Sequence, residues 1–215
     1  SISNCLSIEN RMDRCHPNLV KHAVDKGWCK SEKDFNFAKC YTNSLITNLS
    51  GAPERFNITS NKLKSEKGNI TVDTMKSLLR SHHKSLKKSP FTKHSLKSVC
   101  MHGGFFYGDH TTGSYIASLG KNICTYWVTG SSTPCISTFK PLWLIDGERF
   151  TFNEEHVDDA IRFWYEREIL HRNIIEGRIS NIEFYFSERD KLEEELVSMV
   201  DTLELNNASN KNNSA

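Results

Sequence analysis

The chain has 215 residues, a mass of 24.7 kDa and a formal net charge of +2. Its 37% hydrophobic and 25% charged residues are the composition of an ordinary water-soluble domain, long enough to bury one sound core. No apolar run approaches the roughly 20 residues needed to cross a bilayer, and the near-balanced charge argues against a general nucleic-acid binder.

The opening stretch, SISNCLSIENRMDR, lacks the charged-then-apolar pattern of a secretory leader. The seven cysteines form an odd set with no Cys-x-x-Cys pair, which speaks against a disulfide framework or a ribbon-type zinc site. A reducing cytoplasm is the expected location. The sequons at Asn48, Asn57 and Asn69 carry no weight in that setting.

From His16 to His83 the pattern is helical. Pro17 suits the first turn of a helix ending near Gly27, and Phe35, Phe37, Ala38, Tyr41, Leu45 and Ile46 recur at helical spacing. A further helix is expected from Pro53 to about Lys64. Thr71 is placed as the N-cap of another, with Val72, Met75, Leu78 and Leu79 on one face. The acid-free run from Lys76 to Lys97 reads as a solvated helix end and loop.

From about Lys97 the character changes to short runs rich in β-formers: SVCMH, GSYIASL, ICTYWVTG and, after Pro141, LWLI. These predict an antiparallel meander, with Gly-Lys-Asn closing a hairpin between the second and third. Helices are then expected from Glu154 to Glu176 and from Asn181 to Leu205, the latter with Leu192, Leu196, Met199, Val200 and Leu203 along one stripe. The Asn-rich tail, residues 206–215, is expected to be disordered. Helices, meander, helices is an α+β pattern, and a sheet of about four strands with an open edge looks incomplete.

The densest chemistry lies in SVCMHGGFFYGDHTTGS, residues 98–114. Cys100, His102 and His110, with Asp109 as a fourth group, are suitable zinc ligands, but their separation matches no compact zinc signature. They read instead as polar groups at a strand end and loop, and neither a metal nor another cofactor is expected. Cys100 with His102 or His110 would make a nucleophile and base, although a Cys in an apolar strand is more commonly a small core residue. The loop GGFFYGDHTTG is expected to line a pocket, with Phe105, Phe106 and Tyr107 as substrate-binding wall. TGSSTPCISTFKPLW lacks the spacing of a phosphate-binding loop and reads as a structured turn before the next strand.

In order, ISNCLSI, Gly27-Trp28 followed by DFNFA, Glu54-Arg55-Phe56, ITVDTMKSLLRSHH, SVCMH followed by TTGSYIASL, and PCISTFKPLW resemble the secernins and related cysteine dipeptidases of the N-terminal-nucleophile hydrolase superfamily. The resemblance spans roughly residues 1–145. It implies a four-layer αββα sandwich with antiparallel sheets, and amide hydrolysis by a cysteine whose own α-amino group is the general base. In the family pattern the ISN motif follows the nucleophile and the first strands. The chain is therefore expected to supply the C-terminal part of one such domain over residues 1–205, with the nucleophile upstream. Ser1 as a serine nucleophile fits less well, because Ile2-Ser3-Asn4 matches an interior motif.

By the same resemblance, Asn4 corresponds to the asparagine that donates an amide N–H to the oxyanion hole. Arg55 corresponds to an arginine that keeps the nucleophile in its reactive ionisation state. The resulting expectation is part of a cysteine-type amidohydrolase acting on small peptides or amides, with catalytic Asn4 and Arg55. No nucleic-acid or membrane partner is expected, and homo-oligomerisation is left open. The alternatives are a non-catalytic, secernin-like interaction protein and a metal-binding module using Cys100, His102 and His110.

Overall fold

The computed structural model describes residues 1, 3–86, 91–103, 110–120, 123–144 and 157–212. They form a mixed α+β protein that divides into two compact units, residues 1–65 with 96–98 and residues 66–95 with 99–215, where the sequence favours one domain.

The first unit is helical: α1 (Leu19–Asp25), α2 (Phe37–Tyr41), α3 (Ser44–Leu49) and α4 (Ala52–Ser65), with a short 3-10 turn at Glu32–Asp34. Ala23, Phe35 and Cys40 form its core, and the Tyr41 hydroxyl donates to the Leu19 carbonyl at 2.8 Å. The helical periodicity of residues 35–46 breaks into two short helices because Asn36 and Asn43 each cap a new start. Their side chains accept from the Lys39 and Ile46 amides at 3.0 and 3.2 Å. Leu45 and Ile46 are consequently exposed.

Gly51 precedes α4 at φ 66°, and a β-carbon there would lie 2.7 Å from the Leu96 carbonyl oxygen. Only glycine meets both demands. Gly51→Ala is expected to lower the urea-unfolding free energy by at least the ~1–2 kcal/mol of a left-handed L-residue.

The second unit begins with α5 (Val72–Leu79), whose N-cap Thr71 accepts from the Thr74 amide at 3.1 Å. Strands β1 (Ser114–Leu119), β2 (Cys124–Thr129) and β3 (Lys140–Leu142) follow as an antiparallel sheet in the order β1-β2-β3. The expected hairpin is there, with Ser114 opposite Thr129 and Leu119 opposite Cys124. Ile116 and Trp127, paired across it, pack with Phe139 and with Val72, Met75 and Leu79 of α5.

SVCMH is a correction to the expected meander. Residues 98–102 are irregular, because their backbone hydrogen bonds go singly to neighbours and form no ladder. The Cys100 amide donates to the Ser81 carbonyl at 3.0 Å, while Thr111 exchanges bonds with Met101.

The final helices are α6 (Val157–Ile175) and α7 (Ile182–Asn212). Residues 154–156, where the sequence starts the first of them, lie outside the described residues. The second continues through the Asn-rich stretch as far as Asn212, beyond the expected end at Leu205, since extending a formed helix gains a hydrogen bond per residue.

The buried line of α7 contains Glu193, Val200 and the part-buried Leu196 and Val197; Leu192, Met199 and Leu203 are exposed. Glu193 is the interior anion to which Arg80 donates at 2.5 and 3.0 Å, the Phe139 amide at 2.6 Å, and Lys76 pairs at 3.5 Å. The front of the basic run is thus buried and paired rather than solvated. Removing one partner from a buried ion pair strands the other charges. Glu193→Ala is expected to cost about 3–5 kcal/mol in chemical denaturation; a loss below 1 kcal/mol would show that Lys76 and Arg80 find other partners.

Candidate functional site

Three separate stretches of the second unit converge on one buried cluster. Beyond α5 the chain passes without regular structure through His82, and the bond from the Cys100 amide to Ser81 lays residues 100–102 beside it. Cys100 and His102 reach the same cluster there, with Sγ and Nε2 3.9 Å apart. Both are almost fully buried, at 0% and 3% exposure.

The third stretch is the loop of residues 130–139 between β2 and β3. Hydroxyl-rich loops are ordinarily solvated, yet Ser131, Ser132, Thr133, Cys135 and Ser137 are all buried. Their burial is possible because the loop's polar atoms are answered. Thr133 accepts from the Ile136 and Ser137 amides, and the Ser137 hydroxyl donates to Ser131 O at 2.9 Å. Arg80 donates to the Pro134 and Ser137 carbonyls at 2.8 and 2.9 Å. Tyr185 donates to the Ile136 carbonyl at 2.8 Å, and Arg189 to that of Cys135. These contacts fix Cys135 facing inward.

His102 Nε2 sits at the centre, 3.1 Å from His82 Nε2, 3.2 Å from Cys135 Sγ and 3.9 Å from Cys100 Sγ. One ligating atom from each of His82, Cys100, His102 and Cys135 lies within 4.8 Å of all the others. Burial tends to raise the Cys135 thiol pKa, but hydrogen bonding with Cys100, His102 and His82 outweighs it and holds the group well below the usual thiol range. Burial, with Cys135 alongside, pushes Cys100 well above that range.

A further polar layer lies beyond. His171 stacks on His102 with ring centroids 6.1 Å apart and lies 5.4 Å from His110, whose Nε2 is 3.2 Å from the Ser132 hydroxyl. Burial lowers the His171 pKa despite Glu168 nearby. Among the described residues, His102 Nδ1, both ring nitrogens of His171 and Glu168 Oε2 are buried and find no hydrogen-bond partner.

The sequence offers Cys100, His102 and His110, with Asp109, as suitable donors; the geometry groups Cys100 and His102 with other partners. His110 stands outside the tight set, and His82 and Cys135 complete it. Neither was singled out in the sequence, because the four residues are separated by 17, 1 and 32 others and make no compact motif. The His-His of RSHH and the Cys of TPC were visible but had no signal connecting them.

Asn4 and Arg55 belong to the first unit. Asn4 is exposed and adopts φ 49°, the one non-glycine residue at positive φ among those described. The Ser1 hydroxyl hydrogen-bonds Thr59 on α4, whose own hydroxyl donates to the Arg55 carbonyl at 2.9 Å. The start of the chain thus meets α4 one turn beyond Arg55. Arg55 is 8% exposed, and its Nη1 donates to the Ser50 and Leu96 carbonyls, the former at 2.6 Å. It ties the 96–98 segment to the start of α4. Phe105, Phe106, Tyr107 and Asp109 lie outside the described residues.

No protein-family model and no solved structure matches the chain. Among the described residues, no helix is long and apolar enough to cross a membrane.

Chemically, the Cys135–His102 contact has the distance of a thiolate–imidazole nucleophile pair. Its burial argues against that use, since an incoming carbonyl must reach the sulfur. With thiol reagents, exposed Cys15 is expected to react first in the folded protein. Cys40, Cys100 and Cys135 should react only on unfolding. Rapid native labelling of Cys135 would reopen the nucleophile reading.

Proposed function

We propose that this chain is part of a cysteine-type amidohydrolase of the N-terminal-nucleophile kind, cleaving small peptide or amide bonds, with its nucleophile on a segment preceding the ISN motif. The observation that carries this reading is a sheet whose second face is largely apolar and, among the described residues, exposed along β1. Ile116 and Trp127 face the core, whereas Tyr115, Ala117 and Leu119, opposite Val128, Tyr126 and Cys124, form a second, largely apolar face continued in β3 by Leu142 and Lys140. Tyr115 and Leu119 are 67% and 76% exposed. A sandwich whose other sheet is supplied by the preceding segment would bury this surface.

Two further features favour the reading. SVCMH and TPC, both among the motifs that carry the resemblance, pack together through His102 and Cys135. Asn4 adopts the left-handed conformation that Asn tolerates best, and such outliers concentrate at functional sites. In this reading the Asn4 amide donates to the oxyanion formed as the thiolate attacks the scissile carbonyl. Arg55 supports the reacting group from the adjoining helix, and the nucleophile's α-amine takes and returns the proton.

The test is dipeptide hydrolysis by the gene product that includes the preceding segment. Release of amino acids that vanishes on replacing its N-terminal cysteine is expected. Asn4→Ala should lower turnover by about 10²–10³-fold, the loss seen for one oxyanion donor. Residues 1–215 alone should be inert; hydrolysis by that chain, abolished in Cys100→Ser, would overturn the assignment. The absence of any cysteine in the preceding segment would leave a non-catalytic scaffold that uses the same open sheet face for a partner.

A further inference from the structure

We propose that Cys100, Cys135, His102 and His82 bind one zinc ion as a closed, structural Cys2His2 centre. Nothing in this assignment depends on the hydrolase reading.

The first argument is donor arithmetic. His102 Nε2 has three close neighbours, at 3.1, 3.2 and 3.9 Å, yet an imidazole nitrogen carries at most one hydrogen. That nitrogen has a single in-plane direction, holding either the hydrogen or a lone pair, and it points well at only one of the three. A cation at the centre satisfies all four donors at once, each turning a lone pair toward it.

The second is geometry. A tetrahedron built with Zn–S of ~2.3 Å and Zn–N of ~2.0–2.1 Å has edges of roughly 3.3 to 3.8 Å between ligand atoms. The three measured separations bracket that range, and every pair lies within 4.8 Å. The three separations differ from the corresponding tetrahedral edges by only ~0.2–0.4 Å.

The third is charge. Zinc binding displaces one proton from each thiol to solvent and takes both imidazoles neutral. Two thiolates and one divalent cation sum to zero, so the centre can lie in the interior without an uncompensated charge. Cys100, His102 and Cys135 are 0%, 3% and 5% exposed and His82 is half-buried, and four protein donors fill the tetrahedron with no position left for substrate. This is the closed shell of a structural site. Two thiolates with two imidazoles in a tetrahedral set favour zinc over the hard, oxygen-seeking cations.

The experiment is elemental analysis of the 215-residue chain purified under reducing conditions, followed by cobalt(II) substitution. One zinc per chain is expected, and a tetrahedral cobalt spectrum with thiolate-to-metal charge transfer. Cys100→Ser and Cys135→Ser should each lose stoichiometric metal, whereas His110→Ala, outside the set, should keep it. His82→Cys guards against a folding defect in the serine variants, since it should retain one metal and strengthen the charge-transfer band by adding a third thiolate. The assignment falls if the reduced chain takes up neither zinc nor cobalt while its thiols remain titratable. It also falls if His82→Cys leaves the cobalt spectrum unchanged, or if the Cys100 and Cys135 peptides emerge joined and two hydrogens lighter from non-reduced protein.

Discussion

The second unit depends on one interior carboxylate. Glu193 lies on α7, and its oxygens hold Arg80 and Lys76 of the α5 region together with the amide of Phe139. Arg80 also donates to the Pro134 and Ser137 carbonyls, and Lys76 covers the Trp127 ring at 4.3 Å. One anion thus ties together a helix, a buried polar loop and the face of the sheet. Charges in a low-dielectric interior are tolerated only when every donor and acceptor is answered, which gives this arrangement directional precision that apolar packing alone lacks.

The chemistry of the site follows from that clamp. A loop made of serine, threonine and proline would ordinarily stay in water. Here the guanidinium groups of Arg80 and Arg189, with the Tyr185 hydroxyl, answer its carbonyls and let it sink beneath the surface with Cys135 pointing inward. His82 follows Arg80 by two residues, so the helix end that braces the loop also delivers a member of the Cys/His cluster. Ion-pair clamp and Cys/His cluster are successive layers of one construction.

Much of the local structure was legible from the sequence. Thr71 as a cap, the apolar face of α5 and the hairpin between β1 and β2 all rest on short-range rules, and short-range rules hold where one cap or one turn decides. They failed where a second local signal competed, as when Asn36 and Asn43 each began a helix within a run of continuous apolar spacing. They failed more deeply where the partner is distant. Glu193 looks like one acid among many in a charged helix, and nothing nearby announces that Arg80 will meet it. His82, Cys100, His102 and Cys135 lack a shared motif for the same reason. Tertiary contact, not periodicity, makes them a group.

The sheet carries one more consequence. In the order β1-β2-β3, β2 is interior and β1 pairs, among the described residues, with β2 alone. The outer margin of β1 therefore presents backbone amides and carbonyls at strand spacing. Its sequence, SYIASL, has no lysine to repel an incoming strand and no proline to interrupt one. Protected edges usually carry such deterrents. Their lack here marks β1 as a seam, a line along which the sheet can widen by main-chain pairing whatever the side chains of the arriving strand.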